Sequence, residues 1–181
     1  MKQFFVMFLI IFLTNIYCAE FIGTVIKVYD GDTFLVKEEH KTIIDTSAEN
    51  VKYVLQGKYR IRLADVDAPE LTQEFGENSK IILERLVLNK RVKVIFHQID
   101  VFGRIVGTVY LINSVVGIDV LNSESVNEYL ISVGAVWWWN SYSKRKYLEN
   151  IQCIAKEKKI GLWKSKTVIA PWEFRKITKK K

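Results

Sequence analysis

The sequence predicts an α+β domain, a five-stranded OB-fold β-barrel of the Greek-key type with three helices. Five runs rich in β-branched and aromatic residues are separated by turn residues. One segment of helical periodicity interrupts them after the third run, and two more follow the fifth. The 181 residues, 49% hydrophobic and 26% charged, suit one domain with a sizeable core. Small Greek-key barrels of this kind bind polyanions on their faces and loops.

Residues 1–19 have the layout of a secretory signal peptide. Lys2 is followed by an uncharged apolar run from Phe4 to Leu13. This run is too short to cross a bilayer comfortably, so a spanning helix is not favoured. Cleavage after Cys18 or Ala19 would release a secreted or periplasmic protein.

Two alternatives stay open at this end of the chain. Cys18 could carry a lipid, although the residues before it lack the small and aliphatic pattern of a lipobox, or the segment could remain as an uncleaved anchor. Membrane contact is expected only in these two cases. The mature domain is predicted over residues 20–175, with a basic tail over residues 176–181. We expect a monomer, and no protein partner is indicated.

The chain is basic and has few cysteines. It contains 27 Lys and Arg against 20 Asp and Glu, a formal net charge of +7. This excess suits a polyanion such as nucleic acid, and the alternative is a solvated surface that only maintains solubility. Because Cys18 lies in the predicted signal, Cys153 stands alone in the mature domain and no disulfide framework is available.

The first two strands are predicted on either side of a turn. Residues 24–29 and 33–36 are rich in β-formers and flank Asp30-Gly31. An Asp-Gly pair between two such runs is a strong hairpin signal. The turn places Asp32 where the second strand begins.

The third strand begins near Tyr59. We interpret the polar stretch over residues 38–50 as an extended hairpin loop, and residues 51–57 bring the chain back into this strand. Pro69 ends this strand, because proline cannot donate to a sheet ladder and biases the residue before it away from helix. Asp67 and Glu70 are therefore expected at the mouth of the strand.

The remaining elements are predicted from helical spacing, strand alternation and capping residues. They are, in order, a helix over residues 74–89, a strand over 91–96, a turn over 100–103, a strand over 104–112, a helix over 125–134 that opens with a Ser125–Glu128 capping box, and a helix over 144–159 that ends before Gly161.

Charged side chains collect at the ends of these strands. Asp32 follows one turn, and Asp67 and Glu70 close the third strand, where oxygen ligands for a hard cation such as calcium would meet. The lack of a suitable Cys or His cluster argues against zinc. Arg62 and Arg104 lie on neighbouring strands, and arginine matches the geometry of a phosphodiester as charge develops on its oxygens. Glu70 would then position and deprotonate water. A purely structural ion-pair strand is the alternative.

The sequence resembles the thermonuclease family of staphylococcal-nuclease-like OB-fold proteins from about Phe21 to Arg175. The motifs that carry the resemblance stand in the family's order and at its approximate spacing. They are Asp30-Gly31-Asp32-Thr33, Asp67-Ala68-Pro69-Glu70, Phe102-Gly103-Arg104 and Gly161-Leu162-Trp163. The resemblance implies a calcium-dependent endonuclease that acts on DNA and RNA with little sequence specificity and leaves 3′-phosphate ends.

Roles transfer from the family position by position. Asp32 and Asp67 resemble ligands of one calcium ion, with the carbonyl of Ala68 as a third ligand. The catalytic positions fall on Arg62, Glu70 and Arg104.

Three features depart from the family pattern. Phe102 stands where Tyr is frequent, Asp65 stands where an apolar residue or glycine is more usual, and the 38–57 stretch is long. We interpret Asp65 as facing solvent. Arg60 shares a strand face with Arg62 and competes for the phosphate role, but the spacing before the Asp67 motif favours Arg62.

The run Trp137-Trp138-Trp139 with Tyr142 is a candidate substrate surface. Aromatic rings stack on unpaired bases, so Trp138 and Tyr142 are predicted to bind substrate and single-stranded nucleic acid is the preferred partner. Packing between helix and barrel is the alternative, since consecutive residues cannot all face one way. A second hypothesis for the whole protein is a non-catalytic nucleic-acid-binding OB-fold module at the cell envelope, and a third is adhesion through the basic surface.

Overall fold

A computed structural model describes residues 20–40, 42–46, 51–55, 57–115 and 118–179. The predicted signal peptide and the last two residues of the predicted tail lie outside this part of the chain. The elements within it are β1 (Glu20–Val28), β2 (Thr33–Glu38), β3 (Thr42–Thr46), β4 (Val51–Leu55), β5 (Lys58–Leu63), β6 (Val66–Asp67), α1 (Gly76–Val87), β7 (Arg91–Ile99), β8 (Ile105–Val115), β9 (Ile118–Leu121), α2 (Val126–Ser132), β10 (Trp137–Trp138), α3 (Tyr147–Glu157), a 3₁₀ helix (Gly161–Lys164) and α4 (Pro171–Thr178).

Five strands close into a barrel, as the sequence predicts. The strands pair in the order β5, β2, β1, β7, β8, each with an antiparallel neighbour, and a parallel pairing of β5 with β8 completes the circle. Closure removes the exposed sheet edges that these strands would otherwise present. The strand β9 pairs with β8 beyond the barrel.

The structure corrects two details of the prediction. The 38–57 stretch contains the antiparallel hairpin β3–β4 rather than only a loop. The described residues form four α-helices rather than three, because Pro171 begins a helix across the predicted boundary between domain and basic tail. A proline at the first helical position has the required φ and lacks an N–H that would have no partner there.

The hydrophobic core fills the barrel and continues under α1 and α2. Its fully buried side chains come from barrel strands and both helices, including Phe34, Ile61, Leu83 and Leu130. Helix α2 begins at the predicted capping box, in which the side chains of Ser125 and Glu128 accept from each other's backbone N–H. None of the helices in the described ranges is long and apolar enough to span a membrane.

Two glycines allow the turns around the strand ends to approach α1 closely. A Cβ at Gly31 would collide with the side chains of Ser79 and Ala68. A Cβ at Gly76 would collide with the carbonyl of Glu70. The turn before β2 and the turn after β6 are thus both packed against the start of the same helix, and this brings the acidic strand ends together.

Candidate active site

A buried arginine joins two carboxylates from separate strand ends. Arg62 Nη1 lies 3.1 Å from Asp32 Oδ2, and Arg62 Nη2 donates to Asp67 Oδ1 at 2.9 Å. Asp32, Arg62 and Asp67 are only 6%, 8% and 2% exposed. Charges so far from water are tolerated only when they are paired and hydrogen-bonded, so these three residues form one unit.

The barrel strands place this unit. The β2–β5 register sets Thr33, next to Asp32, opposite Arg62. Asp65, at a positive φ of 65°, turns the chain from β5 into β6, which carries Asp67. The interpretation of Asp65 as facing solvent is wrong, because its Oδ2 lies 3.6 Å from Arg145 Nε and its side chain is mostly buried.

Asp32 is held in place by two further donors. The Thr33 hydroxyl donates to Asp32 Oδ1 at 2.9 Å, and the backbone N–H of Ala68 donates to Asp32 Oδ2 at 2.7 Å. Ala68 therefore lies beside the carboxylate pair. The role predicted for its carbonyl stays a prediction.

Asp30 is an additional carboxylate at this site to which the sequence analysis gave no role of its own. Its Oδ1 accepts from the backbone N–H of Asp32 at 3.0 Å. Burial raises the pKa of Asp30 to about 7, and the neighbouring charge of Asp32 adds to the rise. The negative charge at the site therefore decreases as the pH falls below neutrality.

Arg104 is oriented by the turn that precedes β8. Asp100 accepts from the backbone N–H groups of Phe102 and Arg104, and its Oδ2 accepts from Arg104 Nε at 2.7 Å. Burial alone would raise the pKa of Asp100, but these hydrogen bonds outweigh it and lower the pKa. Asp100 thus stays charged and orients the guanidinium of Arg104, whose Nη1 lies 3.4 Å from the hydroxyl of Thr33 at the start of β2.

Glu70 lies at the open edge of the site and contacts a residue that the sequence analysis missed. Arg175 of α4 places Nη1 2.7 Å from Glu70 Oε1 and Nη2 2.7 Å from Asp67 Oδ2. Burial by itself would lower the pKa of Arg175. Hydrogen bonds to the carboxylates of Asp67 and Glu70 outweigh this effect and raise the pKa of the guanidinium. No local motif marked Arg175, because its partners lie about a hundred positions earlier in the chain.

These groups line one cavity of about 570 Å³. Its ionisable residues are Asp30, Asp32, Arg62, Asp67, Glu70, Arg104, Arg175 and Lys179. The structure therefore brings together the predicted Asp32, Asp67, Ala68, Arg62, Glu70 and Arg104. Arg60 is exposed on β5 and does not line the cavity, so Arg62 is the arginine of this strand that lies at the site.

The aromatic run divides between core and surface. Trp138, predicted to bind substrate, is only 8% exposed, and its backbone N–H donates to Gln152, so its ring is not available to a base. Trp139 lines the cavity instead. The ring of Tyr142, 72% exposed, lies 4.0 Å from that of Trp139. Side chains alternate along an extended segment, which separates Trp138 from Trp139.

The donors at this site suit a hard cation, since all of them are oxygens. The guanidinium between Asp67 and Glu70 also shows that a positive group fits between these carboxylates. Within the described residues, no three His, Cys, Asp or Glu side chains are grouped as a metal cluster. A calcium ion would therefore depend on Asp32, Asp67, backbone carbonyl oxygen and water.

Comparison with known proteins gives consistent matches. A family model described as "Staphylococcal nuclease homologue" matches residues 60–165. An Escherichia coli protein named "Uncharacterized endonuclease" is 31% identical over 175 residues, which cover 97% of this chain and 98% of that protein. "Micrococcal nuclease" of Shigella flexneri is 29% identical over 163 residues, covering 89% and 84%. "Staphylococcal-like nuclease CAN1" of Arabidopsis thaliana is 33% identical over 141 residues, covering 76% and 41%.

Replacing Arg62 with methionine is expected to lower the free energy of unfolding by about 3–5 kcal/mol, because Asp32 and Asp67 lose their shared buried partner. Urea unfolding of the purified protein measures the change. The matched control is Arg60→Met, two residues earlier on the same strand and exposed, which is expected to stay within about 0.5 kcal/mol of the wild type. Equal effects of the two changes would contradict the central role of Arg62.

Proposed function

This chain belongs to the staphylococcal nuclease family, and from that premise we propose that it is a calcium-dependent endonuclease acting on DNA and RNA. We propose that it cleaves with little sequence specificity and leaves 3′-phosphate ends. The observation that carries the proposal is the buried unit of Asp32, Arg62 and Asp67, which opens on a cavity shared with Glu70 and Arg104. The nuclease names of its relatives support the same activity.

Arg104 is the principal phosphate-binding residue in this proposal. Arg62 is already engaged, because it donates to the carbonyl of Leu63 and the carboxylate of Asp67 and forms an ion pair with Asp32. Asp100 accepts from Arg104 Nε, and Arg104 Nη1 makes a long hydrogen bond of 3.4 Å to the Thr33 hydroxyl, so its terminal N–H groups keep donors for a phosphate in the cavity. Guanidinium groups stabilise the negative charge that develops on the non-bridging oxygens as water attacks phosphorus.

Glu70 is the proposed general base. Its carboxylate lies at the open edge of the cavity, where water and substrate can reach it. Glu70 takes a proton from the attacking water, the new P–O bond forms, and the bond from phosphorus to the 5′ oxygen breaks. The 5′ oxygen takes a proton from solvent, so the products carry a 3′-phosphate and a 5′-hydroxyl.

A calcium ion at Asp32, Asp67 and the carbonyl of Ala68 would supply positive charge beside the scissile phosphate. The oxygen donor set supports this choice of metal. The three residues lie together because the N–H of Ala68 donates to Asp32 and Arg62 joins both carboxylates.

Single-stranded nucleic acid is the proposed preferred substrate. Phe102 and Tyr142 are largely exposed, and with Trp139 they line a cavity that Arg62 and Arg104 also line. Unpaired bases can stack on such rings, whereas bases within a duplex cannot reach them.

The proposal is tested by cleavage of a labelled single-stranded DNA with calcium and with excess chelator. The wild type is expected to cleave only with calcium, leaving ends that accept nucleotides from a terminal transferase only after phosphatase treatment. Arg104→Ala is expected to lower kcat by roughly 10²–10³-fold, since a preorganised donor to the transition state is lost. Arg60→Ala, outside the cavity, is the control and should keep wild-type activity.

Tight, salt-sensitive binding without cleavage under any divalent ion would contradict the enzyme proposal. The protein would then be a non-catalytic nucleic-acid-binding OB-fold module, the alternative hypothesis from the sequence. Cleavage that persists in Arg104→Ala would remove this arginine from the mechanism.

Asp100→Ala is expected to lower kcat by about tenfold, less than Arg104→Ala, because the guanidinium keeps its charge but loses its orientation. The double variant should be no worse than Arg104→Ala alone, since both changes act through one side chain. Steady-state kinetics of the three variants measure this coupling. Additive losses would mean that Asp100 acts independently of Arg104.

We further propose that residues 1–19 are removed as a signal peptide and that the mature protein is a secreted or periplasmic monomer. Removal would leave β1 intact, because this strand begins at Glu20. Mass spectrometry of the protein from its native host is expected to give Ala19 or Glu20 as the first residue. Retention of Met1, or a lipid on Cys18, would instead indicate membrane attachment.

A further inference from the structure

Arg175 bridges Asp67, a proposed calcium ligand, and Glu70, the proposed general base. Its Nη2 lies 2.7 Å from Asp67 Oδ2, and its Nη1 lies 2.7 Å from Glu70 Oε1 and 3.3 Å from Asp67 Oδ1. Arg62 also donates to Asp67 Oδ1. Both oxygens of Asp67 are therefore bonded to a guanidinium, and the proposed general base is bonded to one as well.

We propose that Arg175 is the built-in counter-cation of the metal site, which a divalent cation displaces from Asp67 and Glu70. Displacement releases the C-terminal half of α4 from the barrel. This inference rests on the proposed function, because it takes Asp67 as a cation ligand and Glu70 as the base.

Of the two arginines bonded to Asp67, Arg175 is the less buried one and is therefore easier to displace from this carboxylate. Arg62 is buried within the barrel and is also bonded to the carbonyl of Leu63 and to Asp32. The side chain of Arg175 is 34% exposed and comes from a surface helix. A cation that binds Asp67 Oδ2 competes with Arg175 Nη2 for the lone pairs of that oxygen.

The attachment of α4 is compatible with such a movement. Pro171 is its buried residue. The start of the helix is fixed by Trp172, whose ring lies 5.5 Å from that of Trp137, and by the Gln73 side chain, which donates to the carbonyl of Ile169 at 2.5 Å. Beyond this first turn, the hydrogen bonds between α4 and the barrel within the described residues come from Arg175, whose guanidinium also lies 5.8 Å from the centre of the Trp139 ring. Loss of these contacts would free the helix to pivot about its start.

The charges that line the cavity favour displacement of Arg175 by a divalent cation over the presence of both at once. Four carboxylates and four basic side chains line the cavity. A divalent cation beside Arg62, Arg104 and Arg175 would be repelled by all three guanidiniums, and departure of Arg175 removes one of these repulsions. Departure also frees Glu70 Oε1, so that both oxygens of the proposed base can accept from water.

Calcium titration by isothermal calorimetry tests the proposal on the full domain. Arg175→Gln is expected to bind calcium about tenfold more tightly than the wild type, because the competing cation is gone. Lys176→Ala removes the same charge from the next position of α4. This lysine pairs with Glu173 at 2.9 Å and its side chain is 67% exposed, so the variant should match the wild type. Arg175→Lys should lie between, since lysine keeps the charge without the fork.

Equal or weaker calcium binding by Arg175→Gln, or no calcium binding by either protein, would overturn the proposal. Hydrogen exchange of the wild type gives a second test that does not depend on the variant folding. Calcium is expected to speed exchange of the amides after Trp172 in α4, and unchanged exchange would also overturn the proposal.

Cleavage assays on the same preparations separate this inference from the nuclease proposal. Tighter calcium binding by Arg175→Gln in a protein that cleaves nothing would support the role of Arg175 and refute the nuclease. Calcium-dependent cleavage with unchanged calcium affinity in the variant would support the nuclease and refute the role of Arg175.

Discussion

Arg62 lies between Asp32 and Asp67 with almost no access to water, so none of the three charges is tolerable without the others. This requirement fixes the register of β2 against β5 and the path of the turn into β6. It also requires Gly31, because the turn that carries Asp32 packs directly against the start of α1. The pairing thus acts both as part of the barrel and as the floor of the cavity.

Around this floor, each remaining charged group is oriented by its own local partner. Asp100 directs Arg104 from the turn before β8, and α4 brings Arg175 to Glu70 and Asp67. Basic and acidic side chains are balanced in the cavity although the chain as a whole is basic. In the proposed exchange, a divalent cation would replace the guanidinium of Arg175 at these carboxylates, and the C-terminal half of α4 would move away from the barrel.

The parts of the site that could be predicted from sequence depend on local turn chemistry. Asp30-Gly31 makes a hairpin turn, and Pro69 ends a strand, so the carboxylates beside them were expected at strand ends. The predicted barrel follows from the five runs of β-branched and aromatic residues and the turns that separate them. The capping box of α2 is equally local and was also predicted correctly.

What the sequence by itself determined is therefore the barrel and the acidic and basic residues at its strand ends, since turn and strand preferences act between near neighbours in the chain. The tertiary structure decided which side chains from distant parts of the chain came into contact. It buried Trp138, left Trp139 at the cavity and placed Arg175 on two carboxylates. These outcomes depend on packing between segments that are distant in sequence.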